Sequence, residues 1–249
     1  METQTQQSRP VKDPVKLQTL LNSLTAYNYN WRDQSARWKI TDKLAPYKDK
    51  DGNPIVELER VTYVPDILMY QYKLLVQQRH MVQRDIDKKV FGICVRFLTD
   101  PNTRTSMLLY GRPGTGKTTF MKAMWMTVGF LYKDEISRSE IRSRYIKASE
   151  LGALLKNDKD GYKTLKSATC LFIDDLGFTG ESEVVNDYGV KARPIEDIIE
   201  HRYDRQLLTV CTTNLTGGEI RDKYGERIYS RMCETFSMVG VNGDDFRQL

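Results

Sequence analysis

The residues best suited to chemistry are Gly111-Arg112-Pro113-Gly114-Thr115-Gly116-Lys117-Thr118-Thr119. Gly, four residues, Gly, Lys and Thr is the spacing of a phosphate-binding loop, and each residue type has a physical reason. Gly111, Gly114 and Gly116 let successive backbone N–H groups converge on an anion, and the N-terminus of the following helix adds unpaired donors and its dipole. The anion expected is a nucleotide phosphate, cradled by Gly111, Pro113, Gly114, Thr115, Gly116 and Thr119. Lys117 reaches the β- and γ-phosphates, and the Thr118 hydroxyl sits on Mg²⁺.

A second set follows in Leu171-Phe172-Ile173-Asp174-Asp175-Leu176-Gly177, apolar residues ending in two acids. Such a run describes a buried strand whose tip presents carboxylates where open α/β sheets bind ligands. Asp174 is expected to hold the metal, directly or through a water, and Asp175 to orient or deprotonate the water that attacks the γ-phosphate. The third set is the strand-like Leu207 to Thr213, which ends in Asn214, an amide placed to reach the γ-phosphate or that water.

These groups need a scaffold, and the intervening sequence supplies its periods. Met107 to Tyr110 reads as a strand, 118–132 as a helix, 145–148 as a strand, 150–155 as a helix and 170–174 as a strand. Pro194 stands at a natural helix start before the strand at 207–213, a helix follows over 226–235, and a last strand over 236–241. This alternation predicts an α/β fold with a parallel sheet. Upstream, 67–98 reads as helical, with Leu68, Tyr72, Leu75, Val90, Ile93 and Phe97 facing inward. The polar lead-in 1–13 is expected to be disordered, 15–26 helical, and Tyr27, Tyr29, Trp31 and Trp38 to form either a small core or a docking surface before the turn-rich break at 48–54. The chain divides on this basis into 1–66, a small, mainly helical partner-binding region, and 67–249, the catalytic core.

Composition narrows the class. The 249 residues carry a formal charge of +5, no apolar run approaching the ~20 residues that span a bilayer, and no apolar signal segment at the start, which predicts a cytoplasmic protein. Cys94, Cys170, Cys211 and Cys233 stand apart in apolar settings, so buried reduced thiols are expected rather than zinc ligands. Two basic clusters, Arg138, Arg142, Arg144 and Lys147, then Lys156, Lys159, Lys163 and Lys166, suit phosphate contact with DNA. The interleaved Glu140, Glu150, Asp158 and Asp160 suit a solvated surface instead.

The motifs taken together with Gly225-Glu226-Arg227-Ile228-Tyr229-Ser230-Arg231-Met232 resemble those of AAA+ ATPases of the initiator and helicase-loader branch, nearest the DnaC-type helicase loaders and the IstB-type transposition helpers. The resemblance covers about 67–249. It implies a P-loop NTPase core with a parallel five-stranded sheet sandwiched by helices and no C-terminal lid, using ATP and Mg²⁺ as a homo-oligomer. Lys117 and Thr118 then belong to the first Walker motif and Asp174 and Asp175 to the second. Asn214 becomes the first sensor. Arg231 becomes an arginine finger given to a neighbouring subunit, with Arg227 its rival and a surface arginine paired with Glu234 the plainer alternative. Gly243-Asp244-Asp245-Phe246-Arg247 is similar to the family's Gly-x-x-x-Arg-like tail. Asp175 stands where many AAA+ proteins carry Glu, and the N-terminal region lacks the cysteine cluster that some loaders use for zinc. The partners implied are a replicative helicase and DNA, single-stranded favoured. The alternatives are a transposition helper on duplex DNA, or a nucleotide-binding assembly subunit with little turnover.

Overall fold

A computed structural model describes residues 60–78, 86–100, 102–137, 142–177, 184–187 and 190–243, with short pieces at 16, 18–19, 47–48 and 54–56. Five parallel strands form the central sheet: β1 (Ser106–Tyr110), β2 (Ser143–Lys147), β3 (Cys170–Leu176), β4 (Leu208–Thr213) and β5 (Phe236–Gly240). Their spatial order is β2-β3-β4-β1-β5. The expected parallel five-stranded fold is therefore present, and β1 lies inside it, flanked by β4 and β5. Cys170 to Ile173 are all buried, as continuous apolar strands in a doubly covered parallel sheet should be.

Helices cover both faces. One face, carrying Met107, Leu109, Phe172 and Val210, packs with helices α1 (Arg60–Gln78), α2 (Lys88–Thr99) and α3 (Lys117–Leu131). The other, carrying Leu108, Leu171, Ile173 and Cys211, packs with α4 (Leu151–Asn157), α5 (Lys159–Lys166), α6 (Pro194–Asp204) and α7 (Gly217–Thr235). Helix α3 is buried on nearly every side, from Phe120 to Phe130 with Lys122 excepted, which fits a helix wedged between the sheet and α1.

The helical run expected over 67–98 is two helices. Asp87 starts the second by accepting from the N–H groups of Lys89 (2.9 Å) and Val90 (3.0 Å). Helix α1 begins at Arg60, ahead of the expected division at residue 66, and contains Pro65. An interior proline costs about 3 kcal/mol. Burial of Val64, Leu68, Tyr72 and Leu75 outweighs it, at about 1.5–3 kcal/mol for each large apolar side chain. Ile93 is only partly buried, and Cys94 takes the innermost position of α2. The residues Tyr27, Tyr29, Trp31 and Trp38, most of the helix expected over 15–26, and the tail beyond Gly243 lie outside the described residues. Lys16, Gln18 and Thr19 are helical.

The helix expected over 226–235 is present, as the second segment of the helical stretch α7. The first segment starts at Gly217, where Thr216 and Glu219 form a capping box: Glu219 Oε2 accepts from the Thr216 N–H at 2.7 Å and Thr216 Oγ1 from the Glu219 N–H at 3.3 Å. Gly225, at φ 83° and ψ 161°, is non-helical and separates this first segment from the second, which begins at residue 226 as expected. Val185–Asp187 and Val190–Ala192 form a small antiparallel hairpin between β3 and α6 that no sequence signal had indicated. No described helix is long and apolar enough to cross a membrane.

Arg202 of α6 ties the N-terminal edge of the sheet together. It is 2 % exposed, and its guanidinium donates to the carbonyls of Lys166 (3.0 Å), Ala168 and Leu208 (2.6 Å) and to Thr209 Oγ1 (2.8 Å). Burial lowers its pKa to about 10, which leaves it charged at neutral pH.

Candidate functional site

Strand β1 delivers the glycine-rich loop to the C-terminal edge of the sheet, and α3 starts directly from it. Gly111 (φ 147°) must lack a side chain, because a Cβ there would run into the carbonyl of Val241. Gly116, at φ 93°, holds the N-cap position of α3 in the left-handed region. Lys117 is buried at the first turn, and its Nζ donates to the carbonyls of Gly111 (2.7 Å) and Arg112 (2.6 Å), so the ammonium is held over its own loop. The Thr115 hydroxyl donates to the Arg112 carbonyl at 3.0 Å and fixes the turn.

Asp174 is 2 % exposed and is the hub of the site. Thr118 donates to its Oδ1 at 2.9 Å, Thr212 to the same oxygen at 2.6 Å, and Tyr145 to Oδ2 at 2.8 Å. Among the described residues no lysine or arginine pairs with it. A buried carboxylate compensated only by neutral hydroxyls is costly, and a cation beside it would offset that cost. The oxygen-only donor set suits Mg²⁺, which takes one or two carboxylates and completes its shell with phosphate oxygens and water. Among the described residues there is no group of three or more His, Cys, Asp or Glu that would cage a metal unaided.

Asp175 is turned away from Asp174 by a break in the β3–β4 register after Ile173. Its φ is 57°, a left-handed conformation uncommon for a non-glycine residue and typical of constrained sites. The Asp175 N–H donates to Thr212 Oγ1 at 2.9 Å, while its own carboxylate lies in an exposed position. One hydroxyl, that of Thr212, thus fixes both acids. Asn214 stands exposed just past β4, on the strand between β3 and β1, beside both the acids and the loop. The site therefore brings together Lys117, Thr118, Asp174, Asp175 and Asn214.

Arg231 is elsewhere. It lies on α7 one turn before β5 begins, toward the N-terminal edge of the sheet, whereas the glycine-rich loop is at the C-terminal edge. Its guanidinium is 3.2 Å from Glu200 Oε1 and 3.9 Å from Asp204 Oδ1, and rests over the Tyr203 ring at 4.9 Å. The expected alternative partner, Glu234, instead accepts from the Tyr203 hydroxyl at 2.6 Å. Arg227 also pairs with Glu200, at 3.0 Å, but its side chain is 71 % exposed against 20 % for Arg231.

Two residues that the motifs left unassigned, Tyr145 and Thr212, belong to the site. Thr212 was legible as part of Thr-Thr-Asn, whereas Tyr145 carried no sequence signal beyond its place in a strand. Of the basic clusters, Lys163 pairs with Asp160 and Lys166 with Asp197, while Lys147 and Lys156 are exposed; Arg138 lies outside the described residues. Cys94, Cys170 and Cys211 are buried free thiols, and burial pushes Cys94 up to about 12. Cys233 is only partly buried, because it sits on the outward side of α7.

Comparison with known proteins supplies the remaining observations. The family model described as "ATPase family associated with various cellular activities (AAA)" matches residues 107–235. No curated protein matches the sequence. Among solved structures, the DnaC helicase loader is 21 % identical at a TM-score of 0.49, over 64 % of this chain and 92 % of that one. DnaI is 20 % identical at 0.49, over 73 % and 93 %. AMPPCP-bound DnaA from Aquifex aeolicus is 16 % identical at 0.47, over 68 % and 51 %.

Proposed function

Because the chain belongs to the family of ATPases associated with various cellular activities, and is thereby a nucleotide-binding ATP hydrolase, we propose that it is a cytoplasmic helicase-loader-like ATPase that hydrolyses Mg·ATP between subunits. The observation that carries the reading is the placement of Arg231. The residues that would bind and activate ATP gather at one edge of the sheet, and the candidate finger is held toward the other by Glu200, Asp204 and Tyr203. A second copy is then needed to complete the site.

In this reading Lys117 exchanges its loop carbonyls for β- and γ-phosphate oxygens, and the N–H groups at the start of α3 hold the same phosphates. Thr118 and Asp174 would hold Mg²⁺, which would supply positive charge to offset that on the phosphoryl group. Asp175, exposed and fixed through its backbone by Thr212, accepts the proton of the attacking water or orients it. Asn214 holds that water or the γ-phosphate from the next strand. Arg231 leaves Glu200 and Asp204 for the neighbour's γ-phosphate, where a guanidinium that cannot be deprotonated stabilises the developing charge.

Residues 1–66 are assigned to the helicase and the core to DNA, on the strength of the motif set and its order. Mixing two inactive proteins tests the interface. Lys117→Ala and Arg231→Ala should each hydrolyse ATP poorly, and their mixture should recover turnover as one copy's intact loop meets the other's intact arginine. No recovery at any ratio, with assembly confirmed by light scattering, would exclude Arg231 as a finger in trans. A pull-down with a replicative helicase and gel shifts on single- and double-stranded DNA, with and without ATP, test the partners. Preference for duplex DNA without helicase capture would favour the transposition-helper class.

A further inference from the structure

Tyr145 stands outside the phosphate loop, the acidic pair and the sensor, yet it makes one of the three hydrogen bonds to the buried carboxylate of Asp174. It lies on β2 directly opposite Phe172 of β3, so Asp174 is its diagonal neighbour two positions on, within reach of an aromatic side chain. Its ring is gripped from α3. The Trp125 ring lies 5.2 Å away at 30°, and Lys122 Nζ is 4.9 Å from the ring centre. Thr118, Lys122 and Trp125 are spaced four and three residues apart, which places them on one face of α3. The helix face that presents Thr118 to Asp174 Oδ1 also clamps the tyrosine that holds Asp174 Oδ2.

We propose that Tyr145 is a positioning residue for the divalent cation: by donating to Oδ2 it fixes the rotation of the Asp174 carboxylate, so that Oδ1 stays turned toward Thr118 where the cation is to be held. The inference rests on the reading of Thr118 and Asp174 as the cation site. A carboxylate bonded at one oxygen only can rotate about its terminal torsion, whose preferences are broad. One bonded at both oxygens by donors on different elements has a single orientation. Partners that orient a metal-holding carboxylate change metal affinity or activity by about 10–100-fold when removed. If Tyr145 served packing alone, the ring would matter and the hydroxyl would not.

Two variants of the full chain separate these roles. Tyr145→Phe removes only the hydroxyl, and Tyr145→Leu removes ring and hydroxyl together. Each is measured for binding of a fluorescent ATP analogue in EDTA, for Mn²⁺ binding to the nucleotide complex by electron paramagnetic resonance, and for thermal melting. Positioning predicts nucleotide affinity in EDTA unchanged in Tyr145→Phe, and Mn²⁺ half-saturation about tenfold weaker in both variants, with melting lowered clearly only in Tyr145→Leu. Native Mn²⁺ affinity in Tyr145→Phe, or a loss confined to Tyr145→Leu and accompanied by lower melting, overturns the proposal. Failure of the native chain to bind nucleotide in EDTA would instead overturn the underlying reading of the loop, and binding of nucleotide without any Mn²⁺ that of the cation site, each taking this proposal with it.

Discussion

Asp174 and Arg202 are both 2 % exposed, lie at opposite edges of one sheet, and have no ion-pair partner among the described residues. They are solvated in different ways. Arg202 is surrounded mainly by backbone carbonyls of Lys166, Ala168 and Leu208, whose positions are set by the helices and strands that carry them. Asp174 is surrounded by the hydroxyls of Thr118, Thr212 and Tyr145. A carbonyl dipole fixed in a strand can only accept, and it holds a permanent cation for good. A hydroxyl gives its proton to the carboxylate and keeps lone pairs for something else, so the Asp174 cluster can admit a further positive charge without unfolding anything. The first arrangement is suited to stability, and the second to exchange of a ligand.

The comparison is broken most severely at Arg202. Arg202→Met should lower unfolding free energy by about 3 kcal/mol or more, because several buried carbonyls lose their donors at once and each unsatisfied group costs about 1–3 kcal/mol. Urea denaturation measures this, and a loss below about 1 kcal/mol would mean that the carbonyls find other donors. At the other edge the same kind of change should go the opposite way for stability. Asp174→Asn removes a buried charge that lacks a counter-ion, so melting should stay level or rise, while the Mg²⁺-dependent part of nucleotide binding disappears. Clear destabilisation by Asp174→Asn would show that its three donors already compensate the charge fully.

Smaller effects sharpen the division between the acids. Asp175→Asn should retain Mg·ATP binding and lose turnover by about 10²-fold or more, as expected for a general base. Wild-type turnover would place the water under another residue. Thr212→Val should cost about 1–2 kcal/mol of stability, since it strips a bond from Asp174 and the acceptor of the Asp175 N–H together. Its turnover should fall about tenfold, being held in step by the shared hydroxyl. Thr212→Ser keeps that hydroxyl and should recover most of both. Loss of stability without any loss of turnover would separate Thr212 from the proposed role of the two acids.

Some of this was readable locally. The glycine-rich loop was legible because three glycines and a lysine serve one short turn, and the strand Cys170 to Asp174 because a run buried on both faces must be apolar throughout. The start of α7 escaped the apolar period but was written in the capping pair Thr216 and Glu219, a signal of hydrogen bonding rather than hydrophobicity. The split between α1 and α2 was hidden because their apolar positions, Leu75 and Val90, serve one and the same core.

What the sequence by itself determined was the kind of element along the central sheet and which side chains stand at its strand ends, since turn, strand and helix preferences act over a few residues. Tertiary structure alone decided which of those ends meet. Tyr145 and Thr212 reach Asp174 from 29 and 38 residues away, through the register of β2 and β4 against β3. Arg202 became an internal tie because α6 crosses the start of β4, and Arg231 was drawn to Glu200 and Asp204 because α7 packs along α6. Strand order and helix crossing come from closing one core around the whole sheet, and no short stretch contains that information.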